Sequence, residues 1–332
     1  MIKLSKKYVL GVHVMFFEIE IFKEYIDGMI NLLSNVENKE NIILDFCFNI
    51  SEHIETIDTD KITKDELIEK FLKGIDRLQN KVSMPILKHR IHDTKDGFYF
   101  HTDYRRDLNY NFCKKVDYIM WGETDSFFPK EAFEVIETLS KYTDKENIHR
   151  YILSFSDRKM WDSSWDALVH TDYEKYEYDH NPETHYTNPN CAKSPMSIEK
   201  MNKINSKTED FDFRYINYPK ISGSCLVISA DLVKFGVNVP SCLLYNDDEG
   251  LSIMGQKLCG KNYLQFVCKN ILHVHARRHP RKRLYVKDEN NAHSFAVDKN
   301  NNFQKFKQLS QHNISVLVNG KGKFYEYKDL EL

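Results

Sequence analysis

Along this chain, unbroken apolar runs alternate with segments in which apolar residues recur at helical spacing. Tyr8-Val-Leu-Gly-Val-His-Val-Met-Phe16 and Asn41-Ile-Ile-Leu-Asp-Phe-Cys-Phe-Asn49 are runs of the first kind and predict buried strands. Between them Phe22, Ile26, Met29 or Ile30, and Leu33 repeat with helical spacing, so a helix is expected over 22–36. Strand, helix and strand in that order predict a parallel pair joined by a crossover helix. A second amphipathic helix is expected over 64–81, with Leu67, Ile68, Phe71, Ile75 and Leu78 inward. A weak strand follows at Pro85–His89, and a helix starts near Asp103.

Val116-Asp-Tyr-Ile-Met120 reads as another buried strand, and Pro129 opens a helix with Phe133, Ile136 and Leu139 on one face. Glu123 and Asp125 therefore lie just past the C-terminal end of a buried strand, where open α/β sheets bind ligands. Residues two apart in an extended chain point the same way, with Cα atoms roughly 7 Å apart. Two such carboxylates repel one another unless a cation lies near, and oxygen ligands suit Mg²⁺ or Mn²⁺, which would also hold a diphosphate. An acid-x-acid triplet is also common in solvated loops, so its surroundings matter. Arg105 and Arg106, at a helix start, suit a phosphate; an exposed pair with Asp103 or Asp107 is the plainer alternative.

Tyr151–Phe155 predicts a further strand, after which residues 156–218 lose periodicity and gather Trp161, Trp165, Tyr173, Tyr176, Tyr178 and Tyr186. Such a long irregular stretch is expected to be a functional loop or lid, or a loop pinned by its aromatics. Regular structure resumes with a strand over 221–229, a short helix over 230–235, and a helix after Tyr245-Asn-Asp-Asp-Glu-Gly-Leu-Ser252 that closes at Gly260. Leu264–His275 reads as a strand carrying His273 and His275, followed by the basic run Arg277–Arg283. The acids at 247–249 also suit a helix start favoured by the dipole. The last segment, Ile314-Ser-Val-Leu-Val before Asn319-Gly-Lys-Gly and Lys323-Phe-Tyr-Glu-Tyr, has a hairpin pattern, and residues 284–312 are expected to order only on binding.

Composition narrows the class. The chain has 332 residues, 41% hydrophobic and 13% aromatic, which suits a globular protein and excludes a disordered one. A net charge of −2 excludes a generally electrostatic nucleic-acid binder. The 7 cysteines lack a C-x-x-C pair and read as buried thiols in a reducing compartment. The N-terminal apolar run contains His13 and leads into Glu18, unlike a signal peptide, and no stretch is long enough for a membrane span; a cytoplasmic location is expected.

The order of these features resembles the GT-A glycosyltransferases, particularly the family-2-like inverting enzymes that use nucleotide-diphosphate sugars. The resemblance spans roughly residues 8 to 280 and rests on Glu123-Thr-Asp125, the Gly223 strand, Asp247-Asp-Glu-Gly-Leu251 and the late histidine. It implies an α/β GT-A fold with a mostly parallel central sheet flanked by helices. Residues 1–150 would form the nucleotide-sugar half, 151–280 the acceptor and catalytic half, and 281–332 an extension. Glu123-Thr-Asp125 corresponds to the D-x-D motif, with Glu in the first place. Asp125 would bind Mn²⁺ or Mg²⁺ with His275, while Glu123 would face the ribose, the sugar or a metal-bound water. Arg105 and Arg106 would lie near the donor diphosphate, most simply that of a UDP-sugar, although Asp107 stands where the family carries asparagine. Asp248 would be the catalytic base; Asp247, Gly223 and Trp161 would hold the hydroxyl acceptor. That acceptor is a glycan, a small molecule, a protein, a lipid-linked sugar or a hydroxymethylated DNA base.

The chemistry agrees with these roles. Transfer to a hydroxyl needs a carboxylate to take its proton, and a metal with arginines stabilises the leaving diphosphate. Two other functions fit parts of the pattern: a zinc hydrolase built on His273, His275 and His279 with Asp247 and Asp248, and a non-catalytic carbohydrate- or nucleotide-binding protein using the aromatic segment.

Overall fold

The computed structural model describes residues 1–50, 63–93, 99–159, 198–215, 223–275 and 301–326. Among them, strand β1 (Tyr8–Met15) leads through helix α1 (Ile19–Ser34) to β2 (Ile42–Asn49), and the two strands pair in parallel with Tyr8 opposite Ile42. Helix α2 (Lys64–Val82) follows. Its start is set by a capping box in which Glu66 N donates to Thr63 Oγ1 and Thr63 N donates to Glu66 Oε2. Next come β3 (Leu87–His92), α3 (His101–Phe112), β4 (Tyr118–Glu123), the two-residue β5 (Ser126–Phe127) and α4 (Ala132–Lys145). The second half supplies β6 (Tyr151–Lys159), α5 (Ile198–Asn205), β7 (Phe213–Tyr215), β8 (Leu226–Ser229), α6 (Ala230–Lys234), α7 (Asp247–Cys259), β9 (Leu264–His275) and α8 (Asn301–Asn319).

The described strands form one mixed sheet in the order β3-β2-β1-β4-β8-β6-β9-β5, with β7 paired to β9. The β3-β2-β1-β4 half is parallel, as is the long β6–β9 pair, while β8 runs antiparallel to both its neighbours. Period-2 alternation sends successive residues to opposite faces. Tyr8, Leu10, Val12 and Val14 of β1, with Tyr118 and Met120 of β4, face a core built on α1, α2 and α4. Val9, Ile119 and Trp121 face a second core with α3, α6 and α7. Burial on both faces explains why these strands read as continuous apolar runs rather than alternating ones. The first core contains a stack in which the Phe71 ring lies 5.3 Å from Phe22 and 4.9 Å from Phe48.

The expected α/β architecture is present, and the same sheet takes strands from both halves of the chain. Several local expectations change. The helix expected at Pro129 begins at Ala132, after a turn in which Ala132 N donates to Pro129 O. Of the strand expected over 221–229, Leu226–Ser229 form β8, preceded by a turn with Cys225 at φ 53°, while residues 221 and 222 lie outside the described residues. Of the irregular stretch 156–218, residues 160–197 and 216–218 lie outside the described residues, but β6 runs on to Lys159 and α5 and β7 occupy part of the rest.

The C-terminal hairpin is replaced by a helix, which also takes in residues 301–312. Phe306, Leu309, Asn313, Ile314 and Leu317 follow the 3.6-residue period, and this outweighs the β-branched alternation of 314–318. Asn319-Gly320 ends that helix instead of turning a hairpin: Gly320 has φ +65° and its N–H donates to Val316 O. No helix among the described residues is long and apolar enough to cross a membrane.

Candidate functional site

The parallel strands β1, β2 and β4 end together. His13 of β1 is in register with Glu123 of β4, and Asn49 closes β2 opposite Met15. Helix α3 starts beside these ends with His101 and sets Arg105 one turn further on. The turn before β8 brings Gly223, and the first turn of α7 brings Asp247 and Asp248.

Arg105 ties these pieces together. Its Nη2 donates to Glu123 Oε1 at 2.7 Å and to the Gly223 carbonyl at 2.9 Å, and its Nη1 donates to Asp247 Oδ2 at 2.5 Å. The guanidinium is 2% exposed and lies 4.6 Å from the Trp121 ring centre, while the Trp121 indole N–H donates to Asn109 Oδ1. A buried cation needs such partners, and here two carboxylates and a carbonyl supply them. Desolvation of the guanidinium is more than offset by Asp247 and Glu123, and its pKa is raised.

Asp248 lies beside this network. Its Oδ2 accepts from Gly223 N at 3.0 Å and its Oδ1 from Glu249 N at 2.8 Å. Burial first, and then the neighbouring Asp247 charge, push its pKa up to about 7, with Arg105 and the Glu249 N–H opposing. Gly223 fits between them because it has no side chain: a Cβ there would meet Arg105 Nη1 at 2.7 Å and the Asp248 carboxylate at 3.2 Å.

The approach to Asp247 is pinned from the far end of the chain. Ser310 Oγ of α8 accepts from Leu244 N and Tyr245 N at 3.1 and 2.9 Å. Asn313 Nδ2 donates to the Cys242 carbonyl at 2.6 Å, and Thr102 of α3 donates to the Leu244 carbonyl. Asn246 then enters α7 from the left-handed region at φ 62°.

Of the residues singled out from sequence, Arg105, Glu123, Gly223, Asp247 and Asp248 meet in one cluster. Arg106 does not join it; it pairs with Asp103 at 2.6 Å, the plainer alternative. Asp125 is 4% exposed and sits in a turn after β4, so the extended geometry expected for 123–125 is broken there. Thr124 between them hydrogen-bonds to the Glu18 carboxylate. The Asp125 charge still reaches His101, opposing the fall in that imidazole's pKa. His275 is opposite Ser126 in the β5–β9 pair, one residue from Asp125; only its backbone is described. His273 is fully buried with Nε2 3.2 Å from Ser224 Oγ. Trp161 and His279 lie outside the described residues. Among the described residues no three His, Cys, Asp or Glu side chains form a ready metal shell.

His13, Asn49 and His101 escaped sequence reasoning. The Nδ1 atoms of His13 and His101 are 3.3 Å apart, Asn49 Nδ2 is 3.3 Å from His13 Nε2, and His101 Nε2 is 3.8 Å from Glu123 Oε1. Burial, with cationic neighbours adding to it, holds both imidazoles well below their ordinary pKa. The only signal was a histidine at the tip of an apolar run, which a core histidine also gives. The chain matches no protein-family model and no curated protein sequence.

Proposed function

We propose that this protein is a metal-dependent glycosyltransferase of the GT-A kind, moving a sugar from a nucleotide diphosphate, most simply UDP, to a hydroxyl acceptor. The observation that carries the reading is the gathering of Glu123, Asp247 and Asp248 around Arg105 at the C-terminal ends of parallel strands, with Asp248 held near pKa 7. A base poised there takes a proton effectively at neutral pH. In the transfer, the acceptor oxygen bonds to the anomeric carbon as the bond to the diphosphate breaks. The acceptor proton passes to Asp248, and the diphosphate leaves with the electron pair. Inversion follows if this is a single displacement.

Asp125 would supply an oxygen ligand and His275, whose backbone pairs with the adjacent Ser126, an imidazole nitrogen, a donor set that would suit Mn²⁺ or Mg²⁺. Such an ion would offset charge on the leaving diphosphate. Arg105 acts by holding Glu123 and Asp247 in place, since its Nη atoms are engaged with protein oxygens. The burial of His273 against Ser224 gives no support to a zinc hydrolase.

The test is turnover by the purified full chain with Mn²⁺ across a panel of nucleotide sugars and hydroxyl acceptors. Asp248→Asn should abolish transfer while preserving nucleotide binding, and Asp125→Ala should lose Mn²⁺-dependent nucleotide binding. A well-folded protein that turns over no member of the panel overturns the proposal.

A further inference from the structure

The chain Asn49–His13–His101 leads from a backbone carbonyl into the site, and each link sets the direction of the next. Asn49 Nδ2 lies 2.6 Å from the Tyr99 carbonyl, which can only accept, so this atom is the amide nitrogen. Its second hydrogen faces His13 Nε2 at 3.3 Å, so that nitrogen is the acceptor. A neutral His13 then carries its proton on Nδ1. That N–H points at His101 Nδ1, 3.3 Å away, and two Nδ1 atoms so close cannot both carry hydrogens. His101 must therefore carry its own proton on Nε2. The side chain is 24% exposed overall, yet Nε2 itself is buried and has no hydrogen-bond partner among the described residues. A buried donor left without an acceptor destabilises the protein, and a bound ligand can supply that acceptor.

We propose that His101 is a ligand-binding residue whose Nε2–H donates to a neutral hydroxyl oxygen of the bound substrate, with His13 and Asn49 as positioning residues that fix its tautomer. The hydroxyl would sit between a donor and an acceptor, since Glu123 Oε1 lies 3.8 Å from His101 Nε2. A hydroxyl both gives and takes a hydrogen bond and matches that pair. A phosphate oxygen would face the Glu123 carboxylate without a hydrogen to offer it. The choice of ligand rests on the glycosyltransferase reading; the tautomer assignment does not. The hydroxyl belongs to a ribose or to a hexose.

The experiment is ¹H–¹⁵N correlation spectroscopy of the full-length protein with ¹⁵N-labelled histidine. Without ligand, His13 should show the Nδ1–H tautomer and His101 the Nε2–H tautomer. His101 with its proton on Nδ1 overturns the proposal without touching the glycosyltransferase reading. Asn49→Asp, which replaces the donor with an acceptor, should reverse both tautomers if it folds. Uridine, methyl α-D-glucoside, 2′,3′-dideoxyuridine and inorganic phosphate are then added in turn. A shift of the His101 Nε2–H resonance with uridine identifies a ribose, and with the glucoside a hexose; dideoxyuridine and phosphate should leave it in place. Movement with phosphate, or with neither hydroxyl probe, overturns the proposal. The probe that moves it should bind about tenfold more weakly to His101→Phe. An intact relay in a protein that transfers no sugar would instead count against the glycosyltransferase reading alone.

Discussion

The backbone of Gly223 is held on both sides of its Cα: its N–H donates to Asp248 at 3.0 Å and its carbonyl accepts from Arg105 at 2.9 Å. The glycosyltransferase resemblance implies that Gly223 helps hold the acceptor. In the structure the Asp248 carboxylate and the Arg105 guanidinium lie against it. A methyl group here would lie 2.7 Å from Arg105 Nη1. Gly223→Ala should therefore displace Arg105 or Asp248, at about 1–3 kcal/mol of strain. Turnover should fall on the order of 100-fold, since small misplacements of catalytic groups cost that much. Paired measurements of transfer rate and urea unfolding would separate the two effects.

Arg105 supports a second prediction. Arg105→Met leaves the Glu123 and Asp247 carboxylates without their buried cation. Breaking one side of a buried pair typically costs about 3–5 kcal/mol. Arg105→Lys should recover only part of this, because an ammonium cannot span both carboxylates and the Gly223 carbonyl with a planar fork or lie as a plane against Trp121. Urea midpoints for the three proteins should rank wild type, then Lys, then Met. Equal stability of wild type and Met would show that the network does not hold the site together.

The strands that bear the site were legible because both their faces are buried, which leaves the run Tyr8–Met15 almost without polar interruptions. The acids 123, 247 and 248 were legible as motifs, and the chain brings them together. The partner of Arg105 was not: nothing in the sequence near position 105 distinguishes a guanidinium aimed at Asp247, 142 residues away, from one aimed at a phosphate. Arg106, its neighbour, looked equivalent and turned to Asp103 instead, because adjacent residues on a helix face different directions. The C-terminal helix was hidden for another reason. Ile314, Val316 and Val318 alternate as a strand would, and that local pattern masks the helical spacing that runs on from Phe306 and Leu309 and that the contacts with Cys242–Tyr245 fix.

Those contacts give a third prediction. Ser310 and Asn313 are fully buried and bond to the backbone that leads into Asp247. Ser310→Ala would leave the Leu244 and Tyr245 amides without that acceptor, at about 1–3 kcal/mol. The change lies outside the acid cluster, so an effect on transfer must travel through the 242–246 segment. Ser310→Ala should lower kcat more than it raises KM for the nucleotide sugar, while Ser310→Thr, which keeps the hydroxyl, should restore part of the rate. Hydrogen exchange should show faster exchange at Leu244 and Tyr245 in the alanine variant.

If Asp248 is the base of the proposed transfer, its raised pKa should make stability and activity respond to pH in opposite directions. In the unfolded chain its carboxyl has the ordinary aspartate pKa, near 4; in the folded protein burial and Asp247 raise it to about 7. Below about pH 4 it is protonated in both states, and its contribution to stability is fully present. Between about 4 and 7 the unfolded chain releases this proton while the native state keeps it, so stability falls as pH rises, by up to about 1.4 kcal/mol per pH unit. Above 7 both states are ionised and this dependence ends. Asp248→Asn removes the titration, so the variant should gain stability relative to wild type between pH 4 and 7 and keep that gain at pH 8. Transfer by the wild type should rise through the same midpoint, because only the ionised carboxylate can accept the acceptor's proton. Chemical denaturation of both proteins from pH 4 to 8, with initial rates over the stable part of the range, checks both limbs. A stability difference that stays flat across pH 4 to 7 would mean that Asp248 ionises as an ordinary surface aspartate, already charged well below neutral pH, so that no rise in transfer rate near pH 7 could come from it.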